Sequence, residues 1–141
     1  HLATLDGERW ERTLTAPSGK DQEMIKCFFE ASEKICIEMR ELAPDIAIIF
    51  WFLEEYEKAL EVIHWAPSTK STEWLKAEIL MAARHFIAAL EHINQLEVKY
   101  VDDPETTFAA SYARAQCLFA VGQQSSALEI MKSIVRVRPN Y

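Results

Sequence analysis

The tripeptide Ala-Leu-Glu occurs three times in this chain, at Ala59-Leu60-Glu61, Ala89-Leu90-Glu91 and Ala127-Leu128-Glu129. Its surroundings recur with it. Twelve residues before each of these alanines stands another alanine (Ala47, Ala77, Ala115), and nine before stands a bulky apolar residue (Phe50, Leu80, Leu118). Four after comes Ile63, Ile93 or Met131, and seven after comes Ala66, Leu96 or Ile134. Steps of three, four and seven residues are those of one helix face. Small and large side chains returning in a fixed register make an internal repeat, in which each copy is a supersecondary unit that buries its apolar face against its neighbours. The expected class is all-α.

The three alanines lie 30 and 38 residues apart, so the outer pair spans two periods of about 34 residues. The fullest copy runs from Gly122 to Asn140, with a turn glycine, Ala127 five later, the large Met131, and Pro139 twelve after the alanine. Glu54 to Glu61 and Arg84 to Glu91 repeat its centre without the glycine. Over residues 41–141 the chain resembles the tetratricopeptide repeat (TPR) family. That resemblance implies a right-handed stack of helical hairpins in which the first helix of each pair lines a groove for partner peptides. The family's early Trp and Leu slots hold Ala43, Glu73 and Ser111, then Ile46, Lys76 and Arg114. No subfamily follows from such a pattern.

Organisation along the chain is read as an irregular arm over 1–19, then one TPR-like helical domain over 20–141. Within it a long capping helix covers 20–42, and the repeats cover about 43–67, 71–101 and 103–141. Met24, Phe28, Ala31, Ile35, Met39 and Leu42 form the apolar stripe predicted to face the core on the capping helix, widened by Ile25, Phe29, Cys36 and Ile37. Helix 44–53 is apolar nearly all round and is expected between neighbours. Pro67 cuts the second helix of the first pair short, and the run to Val101 lengthens that of the second, which accounts for the uneven spacing. Asp21, Ser71 and Asp103 are the predicted N-caps, with Pro104 at a first helical position. The alanines are read as the points where paired helices approach most closely, so a leucine at 89 or 127 should overpack them.

A net charge of −7 argues against nucleic acid or an anionic membrane as partner. No apolar run is long enough to insert into a bilayer. Three cysteines without metal spacing suit buried thiols in a reducing, cytoplasmic setting. Cys27 and Cys36 fall on opposite sides of one helix and are not expected to bridge. With three glycines there is no phosphate-cradling loop, and His64, His85 and His92 carry no metal-ligand spacing. Neither an enzyme nor a cofactor is expected.

Carried through the TPR register, the groove-lining positions become Pro44, Ile48 and Trp51; Trp74, Glu78 and Met81; and Tyr112, Gln116 and Phe119. The candidate partner-binding residues are Trp51, Trp74, Glu78, Met81, Tyr112, Gln116 and Phe119, a set suited to an apolar or helical peptide. The family's carboxylate clamp is absent from these positions. The leading expectation is a non-enzymatic adaptor for a protein or peptide partner. Alternatives are a dedicated client chaperone resembling bacterial secretion chaperones, or a piece of a longer repeat scaffold. A second copy is a further candidate partner, through the N-terminal helix or through an exposed side of the last helix (Ile130, Ile134, Val137). Trp10 and Leu14 of the arm are candidates to occupy the chain's own groove.

Overall fold

A computed structural model describes residues 19–137; the expected arm, with Trp10 and Leu14, and the last four residues lie outside them. The described residues are helical and contain no strand: α1 (Gly19–Glu38), a 3-10 turn (Arg40–Leu42), α2 (Ala43–Phe52), α3 (Tyr56–Ile63), α4 (Lys70–Ala82), α5 (Phe86–Lys99), α6 (Pro104–Ala120) and α7 (Gln124–Val137). The chain divides into two compact units between Thr72 and Glu73.

Three antiparallel-type junctions share one turn, and its chemistry explains the repeat. After α2 the N–H of Glu54 donates to the Trp51 carbonyl (2.9 Å) and that of Glu55 to Phe50 (2.8 Å). After α4 the same pair runs from Arg84 to Met81 (3.0 Å) and from His85 to Leu80 (2.9 Å); after α6, from Gly122 to Phe119 (3.1 Å) and from Gln123 to Leu118 (2.8 Å). These are Schellman closures, which satisfy the last carbonyls of a helix by placing one residue in the left-handed region. That residue is Glu54 (φ 60°), Arg84 (φ 64°) or Gly122 (φ 90°). The bulky residue nine before each alanine is therefore the one whose carbonyl closes the turn. Each repeat alanine then takes the first bond of the next helix, from Ala59 to Glu55 (2.9 Å), Ala89 to His85 (2.9 Å) and Ala127 to Gln123 (3.1 Å). Both alanines of every copy are buried, and the three glutamates are exposed.

In the first unit α1 packs along the α2–α3 hairpin. The rings of Phe28 and Phe29 sit 5.1 and 5.6 Å from that of Phe50, and Arg40 Nε donates to the Trp65 carbonyl (2.8 Å). Two expectations fail here. The predicted stripe of α1 goes inward only along part of its widening row: Ser32 and Cys36 are buried and Ile25 and Phe29 half-buried, while Met24 (62% exposed), Ile35 and Met39 face outward and Phe28 (40% exposed) lies at the edge against Phe50. Both rows step by three and four residues and differ by about 100° around the helix, so periodicity cannot choose between them. Nor is α2 sandwiched. Ala43, Ala47 and Phe50 are buried, but Ile48, Ile49 and Phe52 are exposed, because a single hairpin covers only one side. The capping helix also stops at Glu38, and residues 40–42 tighten into a 3-10 turn ahead of Pro44.

Capping is partly as expected. Asp103 accepts from the Glu105 N–H (3.2 Å) and from the buried Thr106 hydroxyl (2.8 Å), and Pro104 opens α6. At α4, however, the cap is Thr69 rather than Ser71. Its Oγ1 accepts from the Thr72 N–H (3.2 Å), while Thr72 Oγ1 accepts from the Thr69 N–H (2.9 Å). That is a reciprocal capping arrangement. Asp21 lies inside the first turn of α1 rather than ahead of it.

In the second unit α5 packs on α6 and α6 on α7. His92 of α5 is buried and its Nε2 donates to the Glu73 carbonyl at the start of α4 (2.8 Å). Arg114 of α6 reaches α5, donating to Asn94 Oδ1 (3.0 Å) and to Glu97 Oε1 (2.8 Å).

The turns predict an asymmetry in stability. A Cβ at residue 122 meets nothing within 4 Å, so the penalty of Gly122→Ala is backbone strain alone, about 1 kcal/mol. Glu54→Gly should instead stabilise by up to about 1 kcal/mol, since a glycine relieves strain that glutamate now bears. Urea unfolding midpoints at unchanged m-value measure both.

Candidate functional site

Each first helix places one exposed residue beside its buried repeat alanine. Ile48, Glu78 and Gln116 are exposed next to Ala47, Ala77 and Ala115. Three residues further on stand Trp51, Met81 and Phe119. Trp51, Trp74 and Met81 are half-buried, whereas Tyr112 is 40% and Phe119 59% exposed. The helix period alone puts these positions on one side of each helix.

On the third hairpin they form a site. Tyr112, Gln116 and Phe119 line an open cavity of about 280 Å³ together with Ala115 of the same helix and Ala127, Leu128 and Met131 of α7. The two repeat alanines, Ala115 and Ala127, are among its lining, and their small side chains leave space that larger ones would fill. The walls are mainly apolar, with the Gln116 amide and the Tyr112 hydroxyl the polar groups among the lining side chains. A neighbouring, more open hollow shares Leu128 and Met131 and continues along α7 to Lys132, Val135 and Arg136. The cavity falls just short of the roughly 300–1,000 Å³ usual for small-molecule sites, so it suits one or two inserted side chains better than a cofactor. Trp74, Glu78 and Met81 do not line it, and Trp51 belongs to the first unit.

The residues of α7 in this site are not those expected. Of the three residues expected on the exposed side of this helix, Val137 is exposed (66%), but Ile134 is buried and Ile130 half-buried, whereas Leu128 (55%) and Val135 (53%) are exposed. A signal for them was present in the repeat. Shifted by the 38 residues between Ala89 and Ala127, Leu90, Ile93 and Glu97 of α5 become Leu128, Met131 and Val135 of α7. A polar position has turned apolar on a helix end that carries Lys132 and Arg136.

Chemically reactive groups are few. Burial pushes the Cys117 thiol up, and burial with the nearby Glu33 carboxylate does the same for Cys36. Cys27 is exposed, and all three thiols are free. Among the described residues no cluster of three or more His, Cys, Asp or Glu is placed to hold a metal ion. No helix among them is long and apolar enough to cross a membrane. Compared with models of known protein families, with curated proteins and with solved structures, the chain matches none of them.

Two outcomes follow from these placements. Ala89 is fully buried, so Ala89→Leu should destabilise by about 1–3 kcal/mol through overpacking. Ala127→Leu can direct its side chain into the open cavity and should lose less than half as much in thermal or urea unfolding. In the native protein a thiol-specific reagent should modify Cys27 rapidly and Cys36 and Cys117 only on unfolding, read by mass spectrometry of quenched samples.

Proposed function

We propose that this chain is a non-enzymatic interaction module, a TPR-like set of helical hairpins that takes an apolar or helical segment of a partner protein. The observation that carries the reading is the open apolar cavity on the third hairpin, where Tyr112, Gln116 and Phe119 meet Leu128 and Met131. Aromatic and Met side chains around a small polar contact are a composition that receives side chains from an amphipathic helix. The recurrence of one turn in all three hairpins supports the repeat reading. Trp74, Glu78 and Met81 hold the same register on the preceding first helix of that unit, and Trp51 holds it within the first hairpin.

A display selection of amphipathic helical peptides against the chain tests this. Selected peptides should lose about tenfold or more in affinity on Phe119→Ala, a hot-spot-sized loss, and a smaller amount on Trp74→Ala. Peptides that bind both variants as well as the parent would sink the reading.

One observation favours a second reading, a client chaperone. The outer face of α1 presents Met24, Ile35 and Met39 to solvent, and an uncovered row of this kind suits a helix that pairs with a second copy or holds a client. Concentration-dependent dimerisation abolished by Met24→Glu together with Ile35→Glu separates it from the adaptor.

A further inference from the structure

The second unit contains its own template for how a helix is received. On α5, the helix α6 is seated with Arg114 reaching Asn94 and Glu97. On α7 the positions equivalent by the same 38-residue register are Lys132 and Val135. The apolar part of the seat is kept, since Leu90 and Ile93 correspond to Leu128 and Met131. The difference lies in how much is covered: Ile93 is fully buried beneath its neighbours and Leu90 half-buried, whereas Met131 is half-buried and Leu128 and Val135 are more than half exposed. The polar part is inverted. Where α5 offers an amide oxygen and a carboxylate to a guanidinium, α7 offers the ammonium of Lys132 and an apolar Val135, with Arg136 beside them. Lys132 is only loosely engaged, 3.5 Å from Glu129 with both side chains well exposed.

From this juxtaposition we infer that the outer face of α7 is a seat for an amphipathic helix of a separate polypeptide, lying on α7 as α6 lies on α5 and carrying a carboxylate where α6 carries Arg114. The incoming helix lays its apolar stripe over Leu128, Met131 and Val135 and projects one large side chain into the cavity beside Phe119. A cation at the Arg114 position meets Lys132 and Arg136 and is repelled, so the face discriminates by charge as well as by shape. The inference rests on the reading of this chain as a helix-binding module and narrows it to one face and one kind of partner.

The probe is the chain's own α6. Two peptides spanning residues 104–120 are made with a covalent staple replacing Tyr112 and Gln116, both exposed in α6, so that helix formation does not decide the outcome. One keeps Arg114 and the other carries Arg114→Glu. Fluorescence anisotropy against the whole chain should give the Glu peptide an affinity about threefold or more above the Arg peptide. Lys132→Glu should reverse the preference, and Val135→Glu, which restores the carboxylate that α5 carries at the equivalent Glu97, should also shift it toward the Arg peptide; each substitution is at an exposed position and is checked by an unchanged melting curve. Equal affinities, no reversal, or no binding by either peptide overturns the inference. Peptides from the display selection that respond to Phe119→Ala yet ignore Val135→Glu would overturn it while leaving the adaptor reading standing. Self-association of the chain alone that Val135→Glu removes would assign the face to a second copy and overturn it equally.

Discussion

Each hairpin depends on one backbone event. The last carbonyls of its first helix are closed by a single residue in the left-handed region, and the following helix begins within two residues. The reversal turns the second helix back beside the first, and the alanines at 47/59, 77/89 and 115/127 are buried in every copy. Glycine takes the left-handed position in one copy, whereas glutamate and arginine take it in the other two. The first two hairpins therefore hold strain of about 1–2 kcal/mol each, which packing elsewhere must offset. Phe50 beneath two phenylalanine rings and His92 bonded across to Glu73 are the contacts placed to do so.

The same alanines shape the site. Two small residues leave an unfilled hollow wherever no further element covers the hairpin, and on the third hairpin none of the described residues does. A packing device thus leaves an open apolar hollow at the surface. Beside it, Lys132 and Val135 stand where α5 has the Asn94 and Glu97 that hold Arg114. Under the proposed function, binding and stability draw on one surface, so a substitution such as Ala127→Leu fills the hollow at little cost in stability.

Much of this was legible in the linear chain. Helix number, the tight turns, the buried alanines, the solvent position of the repeat glutamates and the Asp103 cap all follow from local rules of spacing and hydrogen bonding, and register groups Tyr112, Gln116 and Phe119 on the side of α6 where the cavity opens. Other features were not legible, for definable reasons. On α1, Met24, Phe28, Ile35 and Met39 are as periodic as Ile25, Phe29, Ser32 and Cys36, and a one-residue offset separates the exposed row from the buried one. On α2 an all-apolar composition suggested enclosure, yet Ile48 and Phe52 are exposed because apolar character does not supply a neighbour.

By itself, then, the sequence determined what is local: which segments are helices, where each turns, and which small residues let paired helices approach, because these follow from 3.6-residue periodicity and the closure of helix-end carbonyls. Tertiary structure alone decided which apolar row of α1 goes inward, that Thr69 rather than Ser71 caps α4, and that Leu128 and Val135 rather than Ile134 face out. Those choices depend on which surfaces find a partner across space, and two faces of equal hydrophobicity are distinguished only by what the rest of the chain brings against them.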